Sequence, residues 1–178
     1  MSIITVTAGH NSISDPGAVN GSVKEAEIAT DMRNMVVIYL ERAGVTVRTD
    51  GEGSTNLILS QAVKLIADAA LAVEFHCNAG PKTAKGVEAL SQPKHKAISQ
   101  ELCAAVASIM GSPLRGDAGW KAENSGQHSR LAYVSGGGII LELFFISNDA
   151  ELAIWQQKKW LIAKAVAQVL IDYAESKA

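Results

Sequence analysis

The apolar residues of the chain fall into two kinds of run. Ser2–Thr7, Leu71–Cys77 and Ile139–Phe145 are short, nearly continuous and rich in β-branched residues, which predicts buried strands. Val45–Arg48 and Gly86–Leu90 predict two shorter ones. Elsewhere the apolar positions recur at helical spacing. Glu25–Ala43 gathers Ile28, Met32, Met35, Val36, Tyr39 and Leu40 on one face, and Gly44 suits its C-terminal stop. Asn56–Ala70 and His95–Met110 predict two further helices, and Asp149–Ser176 one or two closing helices. Strands alternating with helices imply an α/β fold, a mostly parallel twisted β-sheet flanked by helices on both faces. One stretch breaks the alternation. Gly111–Gly138 is rich in Gly, Ser, Asn and Gln and long for a connection, so it is read as a substrate-facing loop.

Composition narrows the picture. A chain of 178 residues suits a single domain, spanning 1–178, and leaves little room for a second. Aromatic residues are only 5%, which favours helices packed on a sheet over an aromatic-rich sandwich. The formal net charge is −2 and the lysines are scattered, so there is no footprint for nucleic acid. Two cysteines, Cys77 and Cys103, are too few for a disulfide framework. No apolar run reaches the roughly 18 residues of a membrane span. The MSIITV start lacks a signal-peptide pattern, so the expectation is a chain made in the cytoplasm, without a membrane partner.

Candidate chemistry sits at strand ends, where open α/β sheets collect ligands. His10 follows the first strand, His76 lies near the end of AVEFHCNAG, and Glu142 interrupts the apolar GGGIILELFFISN. Glu25 opens the first helix. Two His and one Glu make a catalytic zinc triad with a fourth position open, and a further carboxylate can take a proton from water. Each residue alone has a plainer reading: a capping histidine, or a Glu complementing a helix dipole. Glu142 is harder to set aside, because a carboxylate between Ile139 and Phe145 needs a partner when buried. Glu74 competes for the same role, since it shares a strand face with His76. Cys77 points to the opposite face and is read as a buried thiol.

Three motifs occur in order. TAGHNSISDPGAVNGSVKEAEIA joins an apolar strand to Gly-His, an Asp-Pro-Gly-Ala loop and a Glu opening a helix. FHCNAG, followed by GVEAL, matches a His-x-Asn-Ala motif after an apolar strand. LELFFISNDAEL matches an apolar strand with a Glu, then Phe-Ile-Ser-Asn. Together they resemble the amidase-3 family of zinc-dependent N-acetylmuramoyl-L-alanine amidases, from Ile3 to the closing helix. The resemblance implies His10, Glu25 and His76 as the ligands of one zinc ion per chain and Glu142 as the catalytic carboxylate. Glu25 is preferred to Glu27, which lies about 200° round the helix. The implied reaction is hydrolysis of the amide between N-acetylmuramic acid and the L-alanine of the stem peptide, with peptidoglycan as partner. The chain departs from the family at Asn11 after Gly-His, at Glu74, at Ser60 where an arginine is usual, and at Leu143-Phe144 after the catalytic carboxylate.

Asn78, His128, Arg115 and Arg130 are candidate substrate-binding residues, the arginines for stem-peptide carboxylates. His95, at a helix start, is read as solvated. A bare catalytic unit without an export signal resembles a monomeric phage or prophage endolysin, acting on the wall once the membrane has been opened. Two other classes stay open: a zinc amidohydrolase or carboxypeptidase acting on small peptides, and a non-catalytic wall-binding module.

Overall fold

The computed structural model describes residues 2–11, 13–123 and 131–177. The chain runs through β1 (Ile3–Ala8), β2 (Val19–Asn20), β3 (Val23–Lys24), α1 (Glu25–Arg42), β4 (Thr46–Thr49), α2 (Leu59–Ala62) and β5 (Leu71–Asn78). It continues through β6 (Glu88–Ser91), α3 (Lys96–Met110), β7 (Trp120–Ala122), α4 (Ala132–Ser135), β8 (Ile139–Phe145) and α5 (Asp149–Ser176). Six strands form one sheet in the order β4-β1-β5-β8-β6-β7. The first four are mutually parallel; β6 runs antiparallel to β8, and β7 parallel to β6. The sheet is therefore mostly parallel, as the alternation of elements implies. The little β2–β3 hairpin stands apart from it.

The two faces are covered unequally. The three long helices α1, α3 and α5 pack on one face and on each other. There Ile4, Val6, Val73, Phe75, Leu141 and Leu143 join Met32, Leu102 and Val166 in the main core. Among the described residues the other face carries only α2, the 3₁₀ turn Val63–Ile66 and α4, around Ala72, Tyr133 and Ile140. Strand alternation sends the polar members of each buried run to this thinly covered face: Thr5 and Thr7 on β1, Glu74 and His76 on β5, Glu142 on β8. A register shift between His76 and Asn78 interrupts the β5–β8 ladder. Beyond it Phe144 turns into the main core and stacks on Trp155. Bulges of this kind re-aim side chains beside functional sites.

Three expectations from the pattern are corrected. The helix expected over Asn56–Ala70 shrinks to α2 and one 3₁₀ turn. The Leu57 amide is spent on the Asp50 carbonyl and Asp68 adopts a left-handed φ of 60°, so the helix starts only at Leu59 and cannot run through Asp68. Gly111–Gly138 is no single loop, because it contributes β7 and α4. His95 is half-buried rather than solvated, and burial, with Lys94 beside it, lowers its pKa. The closing segment is one helix of 28 residues. Asn148 caps it by accepting from the amides of Ala150 and Glu151. Buried Glu151 then accepts from the amides of Gly86 and Phe145 and the Ser112 hydroxyl, tying two loops to the end of β8. No helix among the described residues is long and apolar enough to cross a membrane.

Candidate metal centre and active site

His10 stands just past β1 in a left-handed conformation, φ 64°, which a side chain beyond Cβ adopts at a cost. The loop around it explains how it is held. The Asn11 side chain accepts from the amides of Ile13 and Ser14, and Asn11 and Asp15 exchange backbone hydrogen bonds. Asn56 donates to the carbonyls of Ala8 and His10 on the other side. Behind Asn56 lies Arg33, wholly buried and paired with buried Asp50 at 3.0 Å, and Asp50 in turn accepts from the Ala8 amide. The run of turn-forming residues after β1 thus secures one imidazole.

Glu25 is the first residue of α1, where the helix dipole favours a carboxylate. It is buried. Its Oε1 accepts from the Cys77 amide at 2.9 Å and its Oε2 from the Ala18 amide at 2.9 Å. His10 Nε2 lies 3.2 Å from Oε1, and His76 Nδ1 lies 3.0 Å from the same atom. The two rings meet edge to face, with centroids 5.0 Å apart. One donor atom each from His10, Glu25 and His76 falls within 4.8 Å of the others. Burial opposes ionisation of Glu25, but hydrogen bonds from the two histidines override it and hold the carboxyl well below its usual range. Both imidazoles are shifted upward, His76 strongly: burial opposes this, and it is outweighed by Glu25 at His10 and by Glu25, Glu74 and Glu142 together at His76. Glu27 is exposed, as its place on the helix predicts.

Glycines make the approach possible at two points. A Cβ on Gly9 would lie 2.2 Å from His76 Cε1, and one on Gly17 would lie 2.6 Å from Glu25 Oε2. Gly17 also has a φ of 68°.

Glu142 is the register partner of His76 on the neighbouring strand. Its Oε2 is buried with no hydrogen-bond partner among the described residues. Burial raises its pKa; His76 and His10 pull against this, Glu25 and Glu88 add to it, and the result is about 7. A cavity of about 210 Å³ opens beside His10 and His76, between Glu74 and an apolar wall of Leu57, Ile58 and Leu131.

The remaining expected residues are placed unevenly. Asn78 donates to Glu88 Oε1 at 2.9 Å. Arg115 and Lys121 both pair with Glu88 Oε2, and the Arg115 guanidinium lies over the Phe145 ring at 4.8 Å. Glu88 faces Glu142 across the β6–β8 ladder, so this cluster lines the site's flank. His128 and Arg130 lie outside the described residues. Cys77 is buried, and burial pushes its thiol far up, which fits an inert thiol. Sequence reasoning missed Glu88, Lys121 and Asn56. Only Glu88 left a local signal, as an acidic residue inside the GVEAL strand.

The sequence profile of the N-acetylmuramoyl-L-alanine amidases (Amidase_3) matches residues 4–172. The chain belongs to this family. Its members are peptidoglycan hydrolases. Among solved structures, the putative N-acetylmuramoyl-L-alanine amidase from Neisseria meningitidis is 53% identical. The match covers 95% of this chain and 93% of that one, with a TM-score of 0.88. The catalytic domain of CwlV, an amidase from Bacillus (Paenibacillus) polymyxa var. colistinus, is 23% identical over 99% and 98% of the two chains. The catalytic domain of the endolysin CD27L, which targets Clostridia difficile, is 17% identical over 99% and 98%. Their TM-scores, 0.79 and 0.74, show the shared fold. No curated protein is significantly similar in sequence.

Proposed function

We propose that the chain is a zinc-dependent amidase that hydrolyses the bond between N-acetylmuramic acid and the L-alanine of the stem peptide. The observation that carries this reading is the convergence of His10 Nε2, a Glu25 carboxylate oxygen and His76 Nδ1, with Glu142 Oε2 beside them lacking a hydrogen-bond partner among the described residues. Two imidazole nitrogens and one carboxylate suit zinc, and three protein ligands are the number that leaves a position for substrate chemistry. When bound, zinc supplies Lewis acidity that polarises an amide carbonyl and makes water a better acid near neutral pH.

The chain's own residues supply the rest. Glu142 accepts the proton of the attacking water and returns it to the departing amine nitrogen. Burial strengthens its hold on that proton, which suits a group that must keep it until the amine departs. Glu25 stays ionised, steadied by the Cys77 and Ala18 amides. Arg115 and Lys121, balanced on Glu88, offer positive charge to the carboxylates of a stem peptide, and Asn78 holds Glu88 in place. One chain supplies every group, consistent with a monomeric catalytic domain.

The test is elemental analysis together with digestion of purified peptidoglycan before and after chelation. One zinc ion per chain and chelator-sensitive release of free L-alanine amino termini are expected. Zinc without that product would move the substrate to small peptides. Neither zinc nor product, even after metal is added back, would leave a wall-binding role. The lytic role expected for a phage or prophage enzyme is tested separately, as loss of turbidity when the protein is added to permeabilised bacteria.

A further inference from the structure

We infer that Glu74 is the positioning residue of the metal centre. Backed by Thr7 and Tyr133, it fixes the heading and tautomer of His76 so that Nδ1 is the nitrogen offered to the metal. This rests on the zinc reading above.

Glu74 and His76 are two apart on β5 and share its thinly covered face. Glu74 Oε1 lies 3.0 Å from His76 Nε2, and its side chain is 4% exposed. Glu74 Oε2 lies 3.4 Å from the Thr7 hydroxyl, which lies 3.0 Å from the Tyr133 hydroxyl. Thr7 and Tyr133 are both fully buried. An ionised carboxylate can only accept, and each hydroxyl has one proton. One direction satisfies every group: Tyr133 donates to Thr7, Thr7 donates to Glu74, and His76 Nε2–H donates to Glu74. The lone pair of His76 is then on Nδ1, 3.0 Å from Glu25 Oε1, where the three donors converge.

Two alternatives fit the geometry less well. As a ligand itself, Glu74 would have to release His76, and it lies outside the converging set. As a packing residue it makes little sense. Among the described residues its one ion-pair partner is His76, and a buried carboxylate held for shape alone is costly. His10 provides an internal comparison. Its Nδ1 lies 3.0 Å from Asp15, but the Asp15 side chain is 64% exposed. Solvent and salt screen that contact, whereas the Glu74 side chain is nearly buried and its contact is screened less. A carboxylate behind a ligating histidine orients the ring and raises its basicity, and its loss typically weakens metal binding about 10–100-fold.

The test measures zinc affinity by competition with a chromophoric chelator for the wild type and for Glu74→Ala, Glu74→Gln, Tyr133→Phe and Asp15→Asn. The cobalt(II) spectrum and the melting temperature of each metal-free protein accompany it. Glu74→Ala is expected to weaken zinc binding about 10–100-fold. Glu74→Gln keeps an acceptor for Nε2–H and loses less; Tyr133→Phe and Asp15→Asn lose less again. The cobalt spectrum should keep its form, because the ligands are unchanged. Unaltered affinity in a folded Glu74→Ala overturns the inference, as does a melting-temperature loss with no change in affinity. A changed cobalt geometry also overturns it by making Glu74 a ligand. Should Glu74→Ala not fold, wild-type affinity in both Glu74→Gln and Tyr133→Phe overturns it instead. A wild type that takes up no zinc fails at the earlier step, the zinc reading itself.

Discussion

Replacing Glu142 by Gln should make the metal-free protein more stable at alkaline pH while removing the proton acceptor. The folded-state carboxyl sits at about 7 against an ordinary 4.5, chiefly because it is buried, and its Oε2 has no donor among the described residues. Below about 4.5 the group is protonated both folded and unfolded and contributes nothing to pH dependence. Between the two values the folded state alone keeps its proton, so stability falls as pH rises. Above about 7 the whole penalty is present, about 3 kcal/mol, with about 1 kcal/mol already present at pH 5. Gln is nearly the same shape and never ionises, so it escapes the penalty. The assay is urea unfolding of chelated wild type and variant at pH 5 and pH 8, followed by tryptophan fluorescence. With a slope of about 2 kcal/mol per molar, the variant's midpoint should exceed the wild type's by roughly 1.5 M at pH 8 and by roughly 0.5 M at pH 5. Zinc should narrow the gap, since a cation beside Glu142 supports its charge. Peptide release by the zinc-loaded variant should fall by about 10²–10⁴-fold. Equal midpoints at both pH values, or a less stable variant at pH 8, would refute the argument that Glu142 is held against its own ionisation.

Other consequences are open to direct measurement. Gly9→Ala drives a methyl group into the His76 ring, so a folded variant should lose stoichiometric zinc by elemental analysis; full zinc content would count against the geometry of the centre. Arg33→Ala leaves Asp50 buried and unpaired and should cost about 3–5 kcal/mol in denaturant unfolding, whereas a cost below about 1 kcal/mol would mean the pair is solvated. Glu151→Gln replaces an acceptor of three hydrogen bonds and should cost about 2 kcal/mol, seen as a melting temperature lower by roughly 4–8 °C. An unchanged melting temperature would show that the loops it joins need no such tie.

Much of the architecture was legible in the one-dimensional pattern. The apolar runs at Ser2–Thr7, Leu71–Cys77 and Ile139–Phe145 are strands to within a residue, and α1, α3 and α5 lie within about two residues of their periodic segments. These elements are set by local forces: alternation, helical spacing, a capping residue, a stop glycine. His10, Glu25, His76 and Glu142 stood out for the same reason, because each is a polar residue where the local pattern calls for an apolar one or for an end. What local pattern cannot carry is which polar group meets which. Asn56 reads as the start of a helix, but its side chain is spent 46 residues away on the His10 carbonyl, and the helix there is cut short. Arg33 carries no local signal, and the fold seals it against Asp50. Glu88 becomes the anchor of Asn78, Arg115 and Lys121 only because β6 turns antiparallel against β8. The sequence alone determined the three long strands and the long helices, and offered His10, Glu25, His76 and Glu142 as candidates. Only the tertiary structure decided the nitrogen each histidine presents, the carboxylate behind it and the donor that Glu142 lacks, because hydrogen bonds are directional and short-ranged and depend on strand register and close approach across dozens of residues.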